Sequence, residues 1–65
     1  MNRIRELRQK KQLSQEELAR LLKIDRSAVA KWEIGSNLPR AEKLIMMAKI
    51  FGCSVDEILN RRHNF

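Results

Sequence analysis

A chain of 65 residues has room for one domain, and one this short buries only about 60% of the surface its unfolded form exposes, so its stability is modest or is helped by self-association. Fourteen Lys and Arg against eight Asp and Glu leave a net charge of +6, a balance that suits nucleic acid, an anionic membrane surface or an acidic protein without choosing among them. One cysteine (Cys53) and one histidine (His63) exclude an internal disulfide and a structural zinc, and no apolar run nears the ~18 residues of a membrane helix or forms the hydrophobic stretch of a signal peptide, so a cytoplasmic location is expected.

No segment alternates apolar and polar residues as a strand does, whereas helical spacing recurs throughout. The first helix is expected from about Asn2 to Gln12, with Ile4, Leu7 and Lys11 on one face and Arg8 beside them. With two apolar residues on that face it needs tertiary support. An unpaired charge at Arg8 would be costly there, so Arg8 requires a partner. Ser14-Gln15-Glu16-Glu17 has the form of a capping box and opens a second helix to about Leu22, whose stripe is Leu18, Leu21 and Leu22 and whose Ala19 leaves room for a neighbour. Lys23 and Ile24 form a short connection, and Asp25 is placed to cap a third helix, Arg26 to Glu33. Val29 and Trp32 face inward on it with Ala28 alongside, while Arg26, Ser27, Ala30 and Lys31 face outward. Trp32 therefore reads as core and not as a base-stacking residue.

Gly35 ends the third helix, Ser36-Asn37-Leu38 is loop, and Pro39 fits the first turn of a fourth helix that runs to Phe51 and is closed by Gly52. Leu44, Met47, Ala48 and Phe51 share its face, and the Met46-Met47 pair reads as packing. Ser54-Val55-Asp56-Glu57 is a second capping box and begins a fifth helix with Val55, Ile58 and Leu59. Cys53 reads as a small buried hydrophobe. The expected fold is all-α, a compact bundle of five short helices over residues 1–60, with residues 61–65 as a frayed tail.

Two helices joined by a short turn between Gln15 and Glu33 meet the requirements of a helix-turn-helix. A small residue, Ala19, stands on the first helix for the crossing. Leu18, Ile24, Val29 and Trp32 are spaced to lock the pair to the rest of the domain, and the second helix presents polar side chains along its N-terminal half.

The segments LSQEELARLLKIDRSAVAKWEIG and LIMMAKIFGCSVDEIL, with Pro39 between them, resemble the DNA-binding domain of phage repressors and Cro proteins, a family widespread among bacterial regulators. The family pattern Leu-Ser/Thr-Gln-x-Glu-Leu-Ala opens the motif, Ser-x-x-x-x-Trp-Glu-x-Gly closes it, and Gly52, Ser54, Asp56 and Ile58-Leu59 follow the typical ending. The resemblance implies a lambda-repressor-like bundle that binds double-stranded DNA as a transcriptional regulator, with repression the expected direction. Its third helix would enter the major groove. Base contacts are implied for Arg26, Ser27, Lys31 and Gln15, with Arg26 able to offer two donors to guanine O6 and N7. Gln15 is placed to bond a phosphate or to steady a base-contacting neighbour. Phosphate contacts are implied for Ser14, Ser36, Asn37 and Arg40, and secondarily for Arg8, whose main role in the family is an ion pair with Glu33. For the basic stretch Arg3, Arg5, Lys10 and Lys11, a solvated face is the expectation for most, with phosphate contacts as the alternative.

The family also implies a homodimer, at least on DNA, bound to an operator with two half-sites about 34 Å apart. The expected dimer contact involves Val55 and Ile58, joined by Leu38 and Phe65, with completion of the core as the alternative for Val55 and Ile58. Two positions depart from the pattern. Lys23 stands where the turn usually has Gly, at a cost of about 1 kcal/mol if it takes a positive φ. Ile34 follows Glu33 where a polar phosphate contact is usual. No cofactor, metal, membrane or small-molecule ligand is implied. A rival reading is a protein-binding module of the same fold, such as an antitoxin or a partner-regulated adaptor, which would show an exposed apolar patch and weak salt dependence. An enzyme is not expected, since the chain has no Gly-rich phosphate loop, no nucleophile with an adjacent His and no metal-ligand cluster.

Overall fold

Helix-start chemistry explains where most of the secondary structure begins. In the computed structural model, which describes residues 2–61, five helices follow one another: α1 (Ile4–Lys10), α2 (Gln15–Leu22), α3 (Arg26–Ile34), α4 (Ala41–Phe51) and α5 (Val55–Leu59). Both capping boxes form. Ser14 Oγ accepts from the Glu17 N–H at 3.0 Å, and Glu17 Oε1 accepts from the Ser14 N–H at 2.8 Å. Ser54 and Glu57 repeat the exchange at 3.0 and 3.3 Å. Phe65, assigned to the dimer contact, and His63 lie outside the described residues.

Several boundaries differ from expectation for identifiable reasons. Helix α1 begins at Ile4 because the Asn2 side chain intervenes: its Oδ1 accepts from the Ile4 N–H at 3.0 Å, while its Nδ2 donates to the Trp32 carbonyl at 2.9 Å. Asn2 thus starts one helix and satisfies the end of another. Pro39 is not in a helical turn. It is buried, two residues ahead of α4, and Arg40 is the N-cap in an extended conformation. Asp25 occupies the N-cap of α3, yet its side chain makes no cap hydrogen bond. Leu21, expected in the apolar stripe of α2, is 51% exposed, since the inward face of the helix is Leu18, Ala19 and Leu22.

The turn between α2 and α3 passes through Lys23 in the left-handed region, at φ 58° and ψ 47°. Gln12, after α1, adopts φ 58° as well. At the end of α3 the left-handed residue is Gly35, which takes φ 83° without the steric cost that Lys23 bears.

Ile4, Leu18, Leu22, Val29, Met47 and Ile58 are completely buried and form the centre of the core, bordered by Leu7, Ala19, Trp32, Leu44 and Phe51. Trp32 is core, as its helical phase required. Ile58 was expected at a dimer contact; its side chain is fully enclosed and completes the core, so it has no surface to offer a second copy. Helices α2 and α3 form the most extensive pairing in the fold. Polar bonds fasten the remaining elements: Lys43 Nζ donates to the Leu22 carbonyl at the end of α2 at 2.8 Å, and the Arg3 N–H donates to the Ile58 carbonyl at 2.8 Å. Cys53 is half-buried, and burial pushes its thiol pKa up, away from thiolate reactivity. Among the described residues no helix is long and apolar enough to cross a membrane.

Candidate nucleic-acid interface

The nine residues of α3 divide by helical phase. Val29, Trp32 and Glu33 are buried, Ala28 and Ala30 are half-buried, and Arg26, Ser27, Lys31 and Ile34 are exposed. The exposed flank begins at the first helical residue: Arg26 and Ser27 carry a cation and a hydroxyl toward solvent in the N-terminal half, and Lys31 adds a second cation in the last turn. That placement follows from the core. Once Val29 and Trp32 are turned inward, a period of 3.6 residues turns Ser27 and Lys31 outward, whereas Arg26, one turn before Val29, lies at the edge of the inward face beside Glu33 and is exposed at the first position of the helix.

Arg26 is tethered to the interior by a relay of hydrogen bonds. Its Nη1 donates to Gln15 Oε1 at 3.0 Å, and Gln15 Nε2 donates to Glu33 Oε1 at 3.0 Å. The Glu33 side chain has no solvent exposure. An ionised carboxylate is an acceptor only, so it receives the NH2 end of the Gln15 amide and the oxygen end points outward to Arg26. Gln15, expected at the bases, is half-buried with both ends of its amide engaged in this relay.

Arg8 holds the other side of Glu33. Its Nε donates to Oε2 at 2.6 Å and its Nη2 to Oε1 at 3.2 Å, while Nη1 donates to the Leu13 carbonyl at 2.7 Å. The pair expected between Arg8 and Glu33 therefore forms. The Arg8 side chain is only 10% exposed and three of its five N–H groups are bonded within the protein, so the ion pair is its principal role. Burial disfavours the charged form of Glu33, and the hydrogen bonds from Arg8, Gln15 and Arg5 outweigh it, leaving the carboxyl below its ordinary pKa.

Arg5 is a member of this cluster that sequence reasoning left on a solvated face. Its Nε donates to Glu33 Oε1 at 3.2 Å while the side chain stays 57% exposed. Arg5 precedes Arg8 by three residues, which makes the two neighbours on α1, but that spacing does not by itself give Arg5 the same partner. Of the other cations there, Arg3 pairs with Glu6 at 2.8 Å and Lys10 approaches the same carboxylate at 3.9 Å. Ser14 is exposed at the start of α2, and Ser36, Asn37 and Arg40 are exposed between α3 and α4.

On another part of the surface, Leu38 is 70% exposed and Val55 half-buried. Leu38 borders a shallow groove with Asn2, Gly35, Leu59 and Arg61. Ile34, the departure noted at the end of the recognition motif, is 64% exposed.

Comparison with known proteins gives these features a context. A family model described as helix-turn-helix matches residues 4–58. The chain is 40% identical over 58 residues to the HTH-type transcriptional activator BcrR of Enterococcus faecalis, covering 89% of this chain and 28% of BcrR. It is 41% identical over 61 residues to the HTH-type transcriptional regulator AnsR of Bacillus subtilis, covering 94% of this chain and 53% of AnsR. The chain thus spans between about a quarter and about half the length of these relatives. A crystal structure of a transcriptional regulator from Listeria innocua superposes with a TM-score of 0.85 at 30% identity, over 94% of this chain and 57% of that one. With its five-helix architecture, its α2–turn–α3 unit and a match over residues 4–58, the chain belongs to the Cro/repressor-type helix-turn-helix family.

Proposed function

We propose that the chain binds double-stranded DNA sequence-specifically as a transcriptional regulator, with α3 in the major groove. The observation that carries this reading is the outward flank of α3. Exposed Arg26, Ser27 and Lys31 share it, and the relay through Gln15 to the buried carboxylate of Glu33 fixes its first residue. Arg26 presents its fork to guanine O6 and N7, Ser27 donates or accepts at the next base, and Lys31 reaches further along the same groove. Ser14, Ser36, Asn37 and Arg40 contact the flanking phosphates, which set register and orientation without reading sequence. The net charge of +6 supplies the sequence-independent attraction.

One such domain grips one half-site. A second copy, meeting the first through Leu38 and Val55 beside the groove at Leu59, would place two α3 helices on half-sites about 34 Å apart. Occupying a promoter in this way excludes other proteins from it, so repression is the activity that needs no surface beyond those described. BcrR is named as an activator, and activation would call on a further contact with the transcription machinery. Such work is done where the DNA is, in the bacterial cytoplasm.

A protein-binding role remains as a second reading because Leu21, Ile34, Leu38 and Ile45 are all more than half exposed. Selection of binding sites from random duplexes, by the wild type and by Arg26→Ala, together with a salt titration, separates the two. DNA reading requires a preferred site, loss of preference at one base in Arg26→Ala, and affinity that falls steeply with salt. A site and affinity unchanged by Arg26→Ala would overturn the assignment of α3, and flat salt dependence would favour the protein-binding role.

A further inference from the structure

The cluster around Glu33 carries more positive charge than its carboxylate can match. Arg8, with two of its nitrogens on the carboxylate and the shorter bond at 2.6 Å, neutralises that single negative charge inside the protein. Arg5 adds a second guanidinium to the same group, anchored through Nε alone, and no other hydrogen bond or ion pair of Arg5 is found among the described residues. Its charge is a surplus, and it sits on a side chain 57% exposed to solvent. The anchoring oxygen is the one that also holds Gln15, which in turn holds Arg26. Arg5 is thereby fixed beside the group of residues that faces the bases.

We infer that Arg5 is a DNA-phosphate contact, held in position by Glu33 with its two Nη groups turned outward, so that the DNA-binding surface extends from α2 and α3 onto α1. This rests on the DNA-binding reading above and names a further residue of the same surface. A guanidinium tethered by Nε has lost part of its rotamer freedom in the free protein, so less ordering remains to be done when a phosphate oxygen arrives. The groove that admits α3 is bordered by phosphates, and a cation adjoining the base-facing cluster meets that border. Among the basic residues of the N-terminal segment, Arg5 alone joins the cluster at its exposed edge. Arg3 is committed to Glu6, which Lys10 also approaches, and Lys11 is exposed after α1.

The test is the salt dependence of binding to a random-sequence duplex and to the selected site, for the wild type, Arg5→Gln and Lys11→Gln. The two variants remove equal charge. Gln at position 5 keeps a donor for Glu33 but is too short to reach a phosphate as well. For Arg5→Gln, the slope of log K against log salt should fall in magnitude by about one unit, with several-fold weaker binding to both duplexes and an unchanged base preference. Lys11→Gln should leave the slope within error of the wild type. A merely structural role for Arg5 would move thermal unfolding and base preference without shifting the slope, and that result would overturn the inference. So would an equal loss of slope in the two variants. If the wild type binds with a steep slope and Arg26→Ala loses its base preference while Arg5→Gln keeps the full slope, the phosphate contact fails and the DNA-binding reading stands. A wild type with no salt-dependent duplex binding would overturn both.

Discussion

Gln15 and Arg26, the first residues of α2 and α3, are joined by a hydrogen bond of 3.0 Å from the guanidinium to the amide oxygen. The start of one helix thus steadies the start of the next, and the polarity of the connecting amide is set from behind by Glu33. Replacing Gln15 with Met keeps length and volume and removes both bonds. Glu33 retains Arg8 and Arg5, so thermal unfolding should change little. Discrimination at the base assigned to Arg26 should fall by about tenfold or less, within the 1–3 kcal/mol that a bidentate contact supplies. Competition binding against single-base variants of the selected site reads this directly. In a background of Arg26→Ala the same replacement should have no further effect on that base, because the residue it positions is gone.

Removing Glu33 exposes what the cluster costs when incomplete. Glu33→Ala leaves Arg8 buried without its counter-charge, and a loss of about 3–5 kcal/mol is expected, enough to unfold much of a domain this small at 37 °C. Glu33→Gln should cost less, since an amide oxygen still accepts. The two variants also differ in acid. The folded Glu33 carboxyl lies below its ordinary value of 4.5, so ionisation favours the folded state. Its contribution is complete above that value and is lost as pH falls through the folded pKa. Urea denaturation across the acid range should therefore show a shallower decline for Glu33→Gln than for the wild type; parallel curves would show that Glu33 is not a source of the acid sensitivity.

Lys23 gives a simpler expectation. At φ 58° its Cβ is crowded against the backbone, a cost Gly does not bear. Lys23→Gly should raise stability by about 0.5–1 kcal/mol after allowing for the greater freedom of glycine in the unfolded chain, or a few degrees in Tm for a domain of this size. Differential scanning calorimetry measures it. A lower Tm would mean that the lysine side chain contributes more than its backbone costs.

Leu38 separates dimer formation from folding. At 70% exposure it adds little to the core, so Leu38→Glu should leave Tm within about a degree of the wild type. If it lies at the contact between copies, the variant should bind a single half-site as the wild type does and lose cooperativity on a site with two. Titration of duplexes bearing one and two half-sites makes the comparison. Undiminished cooperativity would remove Leu38 from the interface.

Local chemistry is the most legible part of the sequence. Both Ser-x-x-Glu boxes, the glycines after α3 and α4, and the inward phase of Val29 and Trp32 are fixed by neighbours within four residues, and each can be read from the order of the residues alone. The misplacements arise where a distant partner decides. Asn2 shortens α1 because it also bonds Trp32, thirty residues away in sequence. Pro39 is buried ahead of α4 and lies outside its first turn, which begins after Arg40. Arg8 visibly needs a counter-charge, and the family pattern supplies Glu33. Nothing local shows that Arg5 and Gln15 converge on the same oxygen, because that convergence depends on how α1, α2 and α3 meet. Ile58 is ambiguous in the same way, since a short apolar helix has the same pattern whether it faces the core or another molecule.

The division of α3 between tied and untied side chains bears on how this domain can be retargeted. Ser27 and Lys31 make no side-chain bond among the described residues, whereas Arg26 is the outer end of a relay that reaches a buried charge. New operator preferences should therefore be accessible by randomising positions 27 and 31 alone, with the scaffold left intact. Changes at position 26 will succeed only when position 15 is varied with it, so libraries built for altered specificity should treat those two positions as one unit.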